Sequence, residues 1–167
     1  IKRKSFALDK VISDSVDGVN TWAKTRGVEI IRNAPASLPE VDIDPDRIIQ
    51  VLTNLIGNAI KFTPSGGKVT VSAQTQDNGK WLEVGVKDTG IGIAKENLPK
   101  LFDKFYQIGE RVPTDISGTG IGLSIAKEIV QLHGGKIWVE SEKGQGAKFC
   151  FTLPVSIVSG VMAGAIG

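Results

Sequence analysis

Cysteine and histidine are almost absent from this sequence. Its 167 residues include one of each, Cys150 and His133. A lone thiol cannot form an internal disulfide, and the two residues together cannot supply the ligands of a Cys/His zinc site. We therefore expect a protein of a reducing compartment, the cytoplasm, that holds no structural zinc ion.

Long apolar runs and an excess of one charge are also missing. No stretch approaches the roughly 18 apolar residues of a membrane span, and the N-terminal Ile-Lys-Arg-Lys leads into polar sequence, unlike a signal peptide. Lys and Arg number 20 against 18 Asp and Glu, a net charge of +2, which provides no field to attract a polyanion or a membrane surface. We expect about one domain that contacts neither nucleic acid nor membrane.

Glycine, in contrast, is plentiful, with 20 residues gathered in clusters. Between the clusters, apolar residues recur at helical spacing or at every second position. This pattern predicts strands over 5–8, 28–32, 68–75, 81–87, 136–141 and 147–153, the last four forming two hairpins. It predicts helices up to Gly27, over 46–62, near 95–105 and over 123–132, with loops at 33–39 and 107–117.

The helix over 46–62 has the clearest start signal. Asp44 is suited to cap its N-terminus, and Pro45 to occupy its first position. Helices and antiparallel strands in this order predict an α+β fold, a two-layer α/β sandwich whose mixed, mostly antiparallel sheet carries helices on one face. We expect the domain to span 1–154 and the small, apolar residues 155–167 to form a disordered tail.

A glycine motif, Gly-Thr-Gly-Ile-Gly-Leu at 118–123, lies just before the last predicted helix. Glycines there let the backbone approach an anion, toward which free N–H groups and the helix dipole point. A phosphate cradle is one interpretation, and a plain turn into the helix is the other. The spacing matches neither a Walker P-loop nor a dinucleotide-binding fingerprint.

Asp88 follows the strand over 81–87 and begins a second glycine motif, Asp-Thr-Gly-Ile-Gly-Ile. A buried carboxylate at this point could accept a hydrogen bond from the exocyclic amine of adenine. Alternatively, Asp88 is a turn or helix-capping residue.

Three polar residues share one face of the helix over 46–62. Asn54, Asn58 and Lys61 are spaced i, i+4 and i+7. Carboxamide oxygens suit Mg²⁺, and a lysine one turn further on could reach phosphate oxygens. The alternative is the solvated side of an amphipathic helix.

Taken together, these segments resemble the sensor histidine kinases. The residues over 54–62 are similar to the family's N box, 88–93 to its first glycine box, 101–106 to its F box and 118–123 to its second glycine box. The segments 132–141 and 151–154 also resemble the family's closing segments. The resemblance implies the Bergerat ATP-binding fold, shared with gyrase B subunits, Hsp90-type chaperones and MutL.

The same resemblance assigns roles to particular residues. It implies ATP or ADP and Mg²⁺ as cofactors, with Asp88 on the adenine amine, Asn58 on Mg²⁺, and Asn54 and Lys61 on phosphates and in catalysis. The residues 107–117 would form the ATP lid. The other implied nucleotide contacts are Gly90, Gly92, Ile93, Phe105, Tyr106, Gly118, Thr119, Gly120, Ile121, Gly122 and Leu123.

Two departures from the family pattern matter. Gln107 stands where many members carry an arginine, and Arg111, four residues on, is the candidate catalytic replacement. The phosphoacceptor segment is absent, and His133 matches a closing segment instead, where we expect a structural role at a helix end. The chain is therefore expected to donate phosphate to the dimerisation and phosphoacceptor domain of the same kinase, and through it to a response regulator. In isolation it should be a monomer.

Two other functions are weighed against the kinase. ATPases of the gyrase and chaperone type carry a glutamate four residues before the Mg²⁺-binding asparagine to activate water. Asn54 occupies that position here, and a carboxamide cannot act as a general base. A degenerate, non-catalytic ATP-binding module is the remaining alternative, and Gln107 is the residue that favours it.

Overall fold

Helices alternate with strands along the part of the chain that the computed structural model describes, residues 1–35, 37–103 and 122–156. The helices there are α1 (Leu8–Thr25), α2 (Pro45–Lys61) and α3 (Gly122–Leu132), with a 3-10 helix at Lys95–Lys100. The strands are β1 (Lys4–Phe6), β2 (Glu29–Asn33), β3 (Val41–Ile43), β4 (Lys68–Gln76), β5 (Trp81–Asp88), β6 (Ile137–Ser141) and β7 (Ala147–Pro154). None of these described helices has the length and apolar character to cross a membrane.

A five-stranded sheet in the order β2-β4-β5-β7-β6 forms one layer. β2 runs parallel to β4, and the other neighbouring pairs are antiparallel. The side chains buried at every second position of β4 and β5 are those of Val69, Val71, Ala73, Leu82, Val84 and Val86. All three α-helices contact the sheet, and α2 contacts both α1 and α3, which confirms the predicted two-layer sandwich; the pairing of β4 with β5 and of β6 with β7 confirms both predicted hairpins.

The first two differences from the sequence prediction concern short strands. The structure adds β3, which pairs antiparallel with β1 in a separate two-stranded sheet. β1 also ends earlier than the predicted strand over 5–8, because Leu8 is 1% exposed and begins α1. Burial of Leu8 in the core thus decides where the strand stops.

The third difference is the helix predicted near 95–105. Within the described residues it is a 3-10 helix, and Pro99 lies inside it. Proline has no N–H group and clashes with the preceding turn of an α-helix, so the short, tighter form is favoured here.

α2 is the helix on which the fold centres, since it contacts α1, α3, β4 and β5. Its start is as predicted: the Asp44 carboxylate accepts the backbone N–H of Arg47 at 3.5 Å, and Pro45 opens the helix. One face of α2 is buried through Ile48, Val51, Leu52, Leu55, Ile56, Ala59 and Ile60. This face anchors the helix and leaves its polar face directed away from the core.

His133 links the end of α3 to the start of α2. Its ring is 1% exposed, and Nε2 accepts the backbone N–H of Asp44 at 3.0 Å. Nδ1 lies 2.8 Å from the carbonyl oxygen of Ile129, so Nδ1 carries the proton that this carbonyl accepts. The histidine therefore has the structural role that its sequence position predicts.

Replacing His133 with alanine is expected to lower the free energy of unfolding by about 3 kcal/mol, because two buried hydrogen bonds and the packing of the ring are lost. Urea denaturation followed by circular dichroism measures this change. Leu132→Ala is the matched control, since Leu132 is 57% exposed, and it should change stability by less than about 0.5 kcal/mol. Equal effects of the two substitutions would contradict the structural role.

Cys150 belongs to the sheet and not to a reactive site. It is 1% exposed on β7, where it is paired with Gly85 of β5 and Trp138 of β6. Burial raises the pKa of its thiol to about 11, so the nucleophilic thiolate is scarce at neutral pH.

Candidate functional site

Asp88 is a buried carboxylate at the end of β5, a strand flanked by neighbours on both sides. The residue is 5% exposed. Its Oδ1 accepts the backbone N–H groups of Gly90 at 2.8 Å and Ala147 at 3.2 Å, and neither bond uses Oδ2. Burial raises the pKa of this carboxyl, and the two hydrogen bonds oppose that shift. One oxygen is thus fixed by the backbone, while the other can accept a hydrogen from a ligand.

The loop 88–93 is held between α2 and the β6–β7 turn. The Ile91 N–H donates to the carbonyl of Phe62 at 3.4 Å, and the Ile91 carbonyl accepts the N–H of Gly144 at 2.6 Å. The Ile93 N–H donates to Ser141 Oγ at 2.8 Å. The loop that follows Asp88 is therefore fixed from both sides.

Two glycines make this close packing possible. A Cβ on Gly90 would collide with the carbonyl of Phe62. Gly92 has a φ of +72°, and a Cβ there would collide with the carbonyl of Glu142. The first glycine motif thus has a packing reason for its glycines, since side chains at these positions would push the loop away from its supports.

The end of α2 lies beside this loop, and the polar face of the helix leads up to it. Asn54, Asn58 and Lys61 are all partly buried, and Asn54 Nδ2 donates to the carbonyl of Gly122 at 3.2 Å. Burial lowers the pKa of Lys61, whose ammonium lies 5.4 Å from the centre of the Phe62 ring. The structure therefore brings the end of α2 against the Asp88 loop and the middle of α2 against the start of α3.

The second glycine motif is only partly within the described residues. Gly122 is the first residue of α3, and the partly buried Leu123 packs against the core. Seven predicted site residues lie outside the described ranges: Phe105, Tyr106, Arg111, Gly118, Thr119, Gly120 and Ile121. Gln107 and the predicted lid over 107–117 lie outside them too, so the phosphate cradle stays a prediction.

Several supporting residues escaped sequence reasoning. Phe62, Ser141, Gly144 and Ala147 hold the Asp88 loop through main-chain or hydroxyl contacts. In the sequence, residues 144–146 indicate only a turn between strands. A backbone N–H has no residue-type signature, so only the fold could show that Ala147 binds Asp88.

The available ligand groups limit the kind of metal site. In the described part of the chain, no group of three or more His, Cys, Asp or Glu side chains converges to hold an ion. Mg²⁺ commonly keeps several waters and takes one or two protein oxygens together with substrate phosphates. The Asn58 carboxamide fits such a cation, one that arrives with a nucleotide, and does not fit a cage built from protein groups.

Comparison with known families and curated proteins agrees with this geometry. The family model described as histidine kinase-, DNA gyrase B- and HSP90-like ATPase matches residues 43–157. Sensor histidine kinase WalK of Bacillus subtilis is 48% identical over 131 residues, which are 78% of this chain and 21% of that protein. Adaptive-response sensory kinase SasA of Synechococcus elongatus is 36% identical over 155 residues, 93% of this chain and 39% of that protein. The chain thus spans well under half the length of these relatives.

Solved structures show the same architecture. A nucleotide-free catalytic domain of histidine kinase ThkA superposes with a TM-score of 0.80 at 29% identity, covering 93% of this chain and 97% of that one. Full-length ShkA in complex with AMPPNP gives a TM-score of 0.80 at 31% identity over 93% of this chain and 32% of that one. ThkA in complex with the response regulator TrrA gives 0.75 at 27% identity, over 92% of this chain and 42% of that one.

Proposed function

Because the chain belongs to the histidine kinase-, DNA gyrase B- and HSP90-like ATPase family, as an ATP-binding catalytic domain of the sensor histidine kinase type, we propose that it binds Mg·ATP. In this proposal it donates the γ-phosphate to a histidine on the dimerisation domain of the same kinase. The observation that carries the proposal is the Asp88 carboxylate, buried and fixed through Oδ1 by two backbone N–H groups. Its second oxygen, Oδ2, is left to accept a hydrogen bond from a donor group on a ligand.

Adenine supplies that donor. Its exocyclic amine can donate to Asp88 Oδ2, whereas guanine presents a carbonyl at the corresponding position and would place an acceptor against an acceptor. Leaving a buried polar group without a partner is costly, so the carboxylate selects adenine over guanine. Gly90, Gly92 and Ile93 shape the loop on which this contact depends.

The phosphates would lie along the polar face of α2. In this proposal Asn58 supplies an oxygen to Mg²⁺, and Asn54 and Lys61 contact phosphate oxygens. The partly buried Lys61, whose pKa burial lowers, would regain a counter-charge from the phosphate. Phosphoryl transfer depends mainly on positioning and charge stabilisation, which are the contributions that this face can make. The bound Mg²⁺ would neutralise charge on the phosphates.

The residue type at position 54 disfavours the ATPase alternative. Asn54, at the position of the water-activating glutamate of those enzymes, donates its amide to the carbonyl of Gly122. This bond leaves the carboxamide oxygen unused, but a carboxamide oxygen is too weakly basic to take a proton from a water molecule. We also propose that Arg111 takes the role of the arginine that many family members carry at the position of Gln107.

The partners follow from the same proposal. We assign the catalytic domain to residues 1–154 and a tail to 155–167; Val155 and Ser156 still donate backbone hydrogen bonds to Lys80 and Glu40. The dimerisation domain of the parent kinase would receive the phosphate and a response regulator would receive it next; the similar kinase ThkA has been solved in complex with the response regulator TrrA. We place the domain in the cytoplasm, as a monomer when isolated.

Calorimetric titration with AMPPNP and with GTP, each with and without Mg²⁺, tests the proposal. We expect AMPPNP to bind and GTP not to bind, and we expect Mg²⁺ to strengthen the binding of AMPPNP. Phosphorylation of the parent's dimerisation domain, supplied in trans with labelled ATP, should then follow. Equal binding of GTP would contradict adenine selection by Asp88, and nucleotide binding without transfer would favour the non-catalytic module.

A further inference from the structure

The last four carbonyl groups of α2 all receive a hydrogen bond, as the end of a helix requires. Asn58 O accepts the N–H of Phe62 at 3.1 Å, and Ile60 O accepts that of Thr63 at 3.3 Å. Ala59 O accepts the Thr63 hydroxyl at 2.6 Å. The fourth, Lys61 O, has a distant donor, the Nη2 of Arg26 at 3.3 Å. A side chain at the end of α1 thus completes the end of α2.

Arg26 reaches this carbonyl from the C-cap position of α1. Its guanidinium carbon lies 5.7 Å from the centre of the Trp22 ring, one turn earlier on the same helix. The neighbouring backbone is tied to the same corner, because Gly27 O accepts the N–H of Gly66 at 2.7 Å. The position of the guanidinium is therefore well determined.

The arrangement carries a cost that helix capping does not explain. The Nε of Arg26 is buried and has no acceptor among the described residues, and an unsatisfied buried donor opposes folding. A lysine could cap the same carbonyl and complement the helix dipole without burying that extra donor. The contact with Trp22 favours an arginine at this position, but the buried Nε offsets part of that gain, so the net contribution of Arg26 to stability is small.

Lys61, whose carbonyl Arg26 caps, is also the residue proposed above to contact the nucleotide phosphates. We propose that Arg26 is a positioning residue, which holds the last turn of α2 in the place where Lys61 meets the nucleotide phosphates; this inference rests on the proposed function. The next residue ties the same corner to the loop 88–93, because Phe62 O accepts the N–H of Ile91. The corner that Arg26 holds therefore lies between Lys61, proposed to bind phosphate, and the loop 88–93, proposed to bind adenine.

Arg26→Met separates this role from a structural one. Methionine keeps an apolar chain to pack on Trp22 and removes both the bond to Lys61 O and the unsatisfied Nε, so the urea midpoint should stay near that of the original chain. We expect the affinity for Mg·AMPPNP to fall about tenfold and the affinity for adenosine to change less than about twofold. The ratio of the two affinities is the diagnostic quantity.

Lys24→Met is the matched control. Lys24 is an exposed cation in the last turn of the same helix, so its loss removes the same charge without touching α2. The ratio should be unchanged in Lys24→Met and restored to within about threefold in Arg26→Lys, which keeps a donor for Lys61 O.

The outcomes distinguish failure of the positioning role of Arg26 from failure of the proposed nucleotide binding. If the unsubstituted chain binds neither adenosine nor Mg·AMPPNP, the proposed function fails and the inference fails with it. If the unsubstituted chain binds both and Arg26→Met keeps the ratio of Lys24→Met, only the positioning role is overturned. A parallel loss of both affinities with a lower urea midpoint would show that Arg26 is structural, and would overturn the role as well.

Discussion

Asp88→Asn is expected to weaken AMPPNP binding about 100-fold while leaving the fold intact. Asparagine keeps an oxygen for the N–H groups of Gly90 and Ala147, but it turns an amide N–H₂ group toward the adenine amine. Two donors then face each other in a site that is 5% exposed. Calorimetric titration measures the loss, and Asp77→Asn in the β4–β5 turn is the control that should leave affinity unchanged.

The stability of this variant can be predicted from the direction of the pKa shift. Burial raises the folded-state pKa of Asp88, so its contribution to stability is full below the unfolded-state pKa and is lost as pH rises through the folded-state pKa. At neutral pH the ionised carboxylate therefore opposes folding, and asparagine removes this penalty. A urea midpoint no lower than that of the original chain would show that the affinity loss does not come from unfolding.

The same shift gives the nucleotide site a pH dependence. Only the ionised carboxylate can accept from the adenine amine through either oxygen, so binding should weaken as pH falls through the raised pKa of Asp88. Adenosine is the ligand of choice for this measurement, since it carries no phosphates that titrate. A parallel decline in Asp88→Asn would assign the dependence to another group.

Local signals were enough to place the strongest parts of the fold and site. Asp44 and Pro45 mark the start of α2 because capping depends on adjacent residues. The alternating pattern of 68–75 and 81–87 predicts the hairpin because both strands and the turn between them are adjacent in the sequence. The i, i+4, i+7 spacing of Asn54, Asn58 and Lys61 likewise sets one helix face before any tertiary contact is known.

What the sequence did not reveal depends on residues far apart in the chain. β3 is three residues long and is defined by its pairing with β1. The two strands are far apart in the sequence, so no local pattern predicts the pairing. The second bond to Asp88 comes from Ala147, 59 residues away, and Ile93 is held by Ser141, 48 residues away. The lysine carbonyl capped by Arg26 is a further case, since 35 residues separate the partners.

Asn58→Ala is expected to reduce Mg²⁺-dependent phosphotransfer about 1,000-fold, while nucleotide binding without Mg²⁺ changes less than about threefold. The carboxamide is the protein oxygen proposed for the cation, and its removal leaves Mg²⁺ held by phosphate and water without a fixed place on α2. Asn58→Asp keeps an oxygen but adds a negative charge beside the phosphates, so transfer should be lost there too.

Transfer of labelled phosphate to the dimerisation domain, measured across a range of Mg²⁺ concentrations, checks this prediction. Asn33→Ala is the control, since that carboxamide is exposed at the end of β2, and it should transfer at the original rate. If excess Mg²⁺ restores the rate of Asn58→Ala, the side chain contributes affinity for the cation. If the rate stays low when Mg²⁺ saturates, Asn58 holds the cation in the position that the transferred phosphate requires. Transfer at the original rate at every Mg²⁺ concentration would show that Asn58 is not a ligand of the cation. Loss of a metal ligand should change either the affinity for Mg²⁺ or the transfer rate at saturating Mg²⁺.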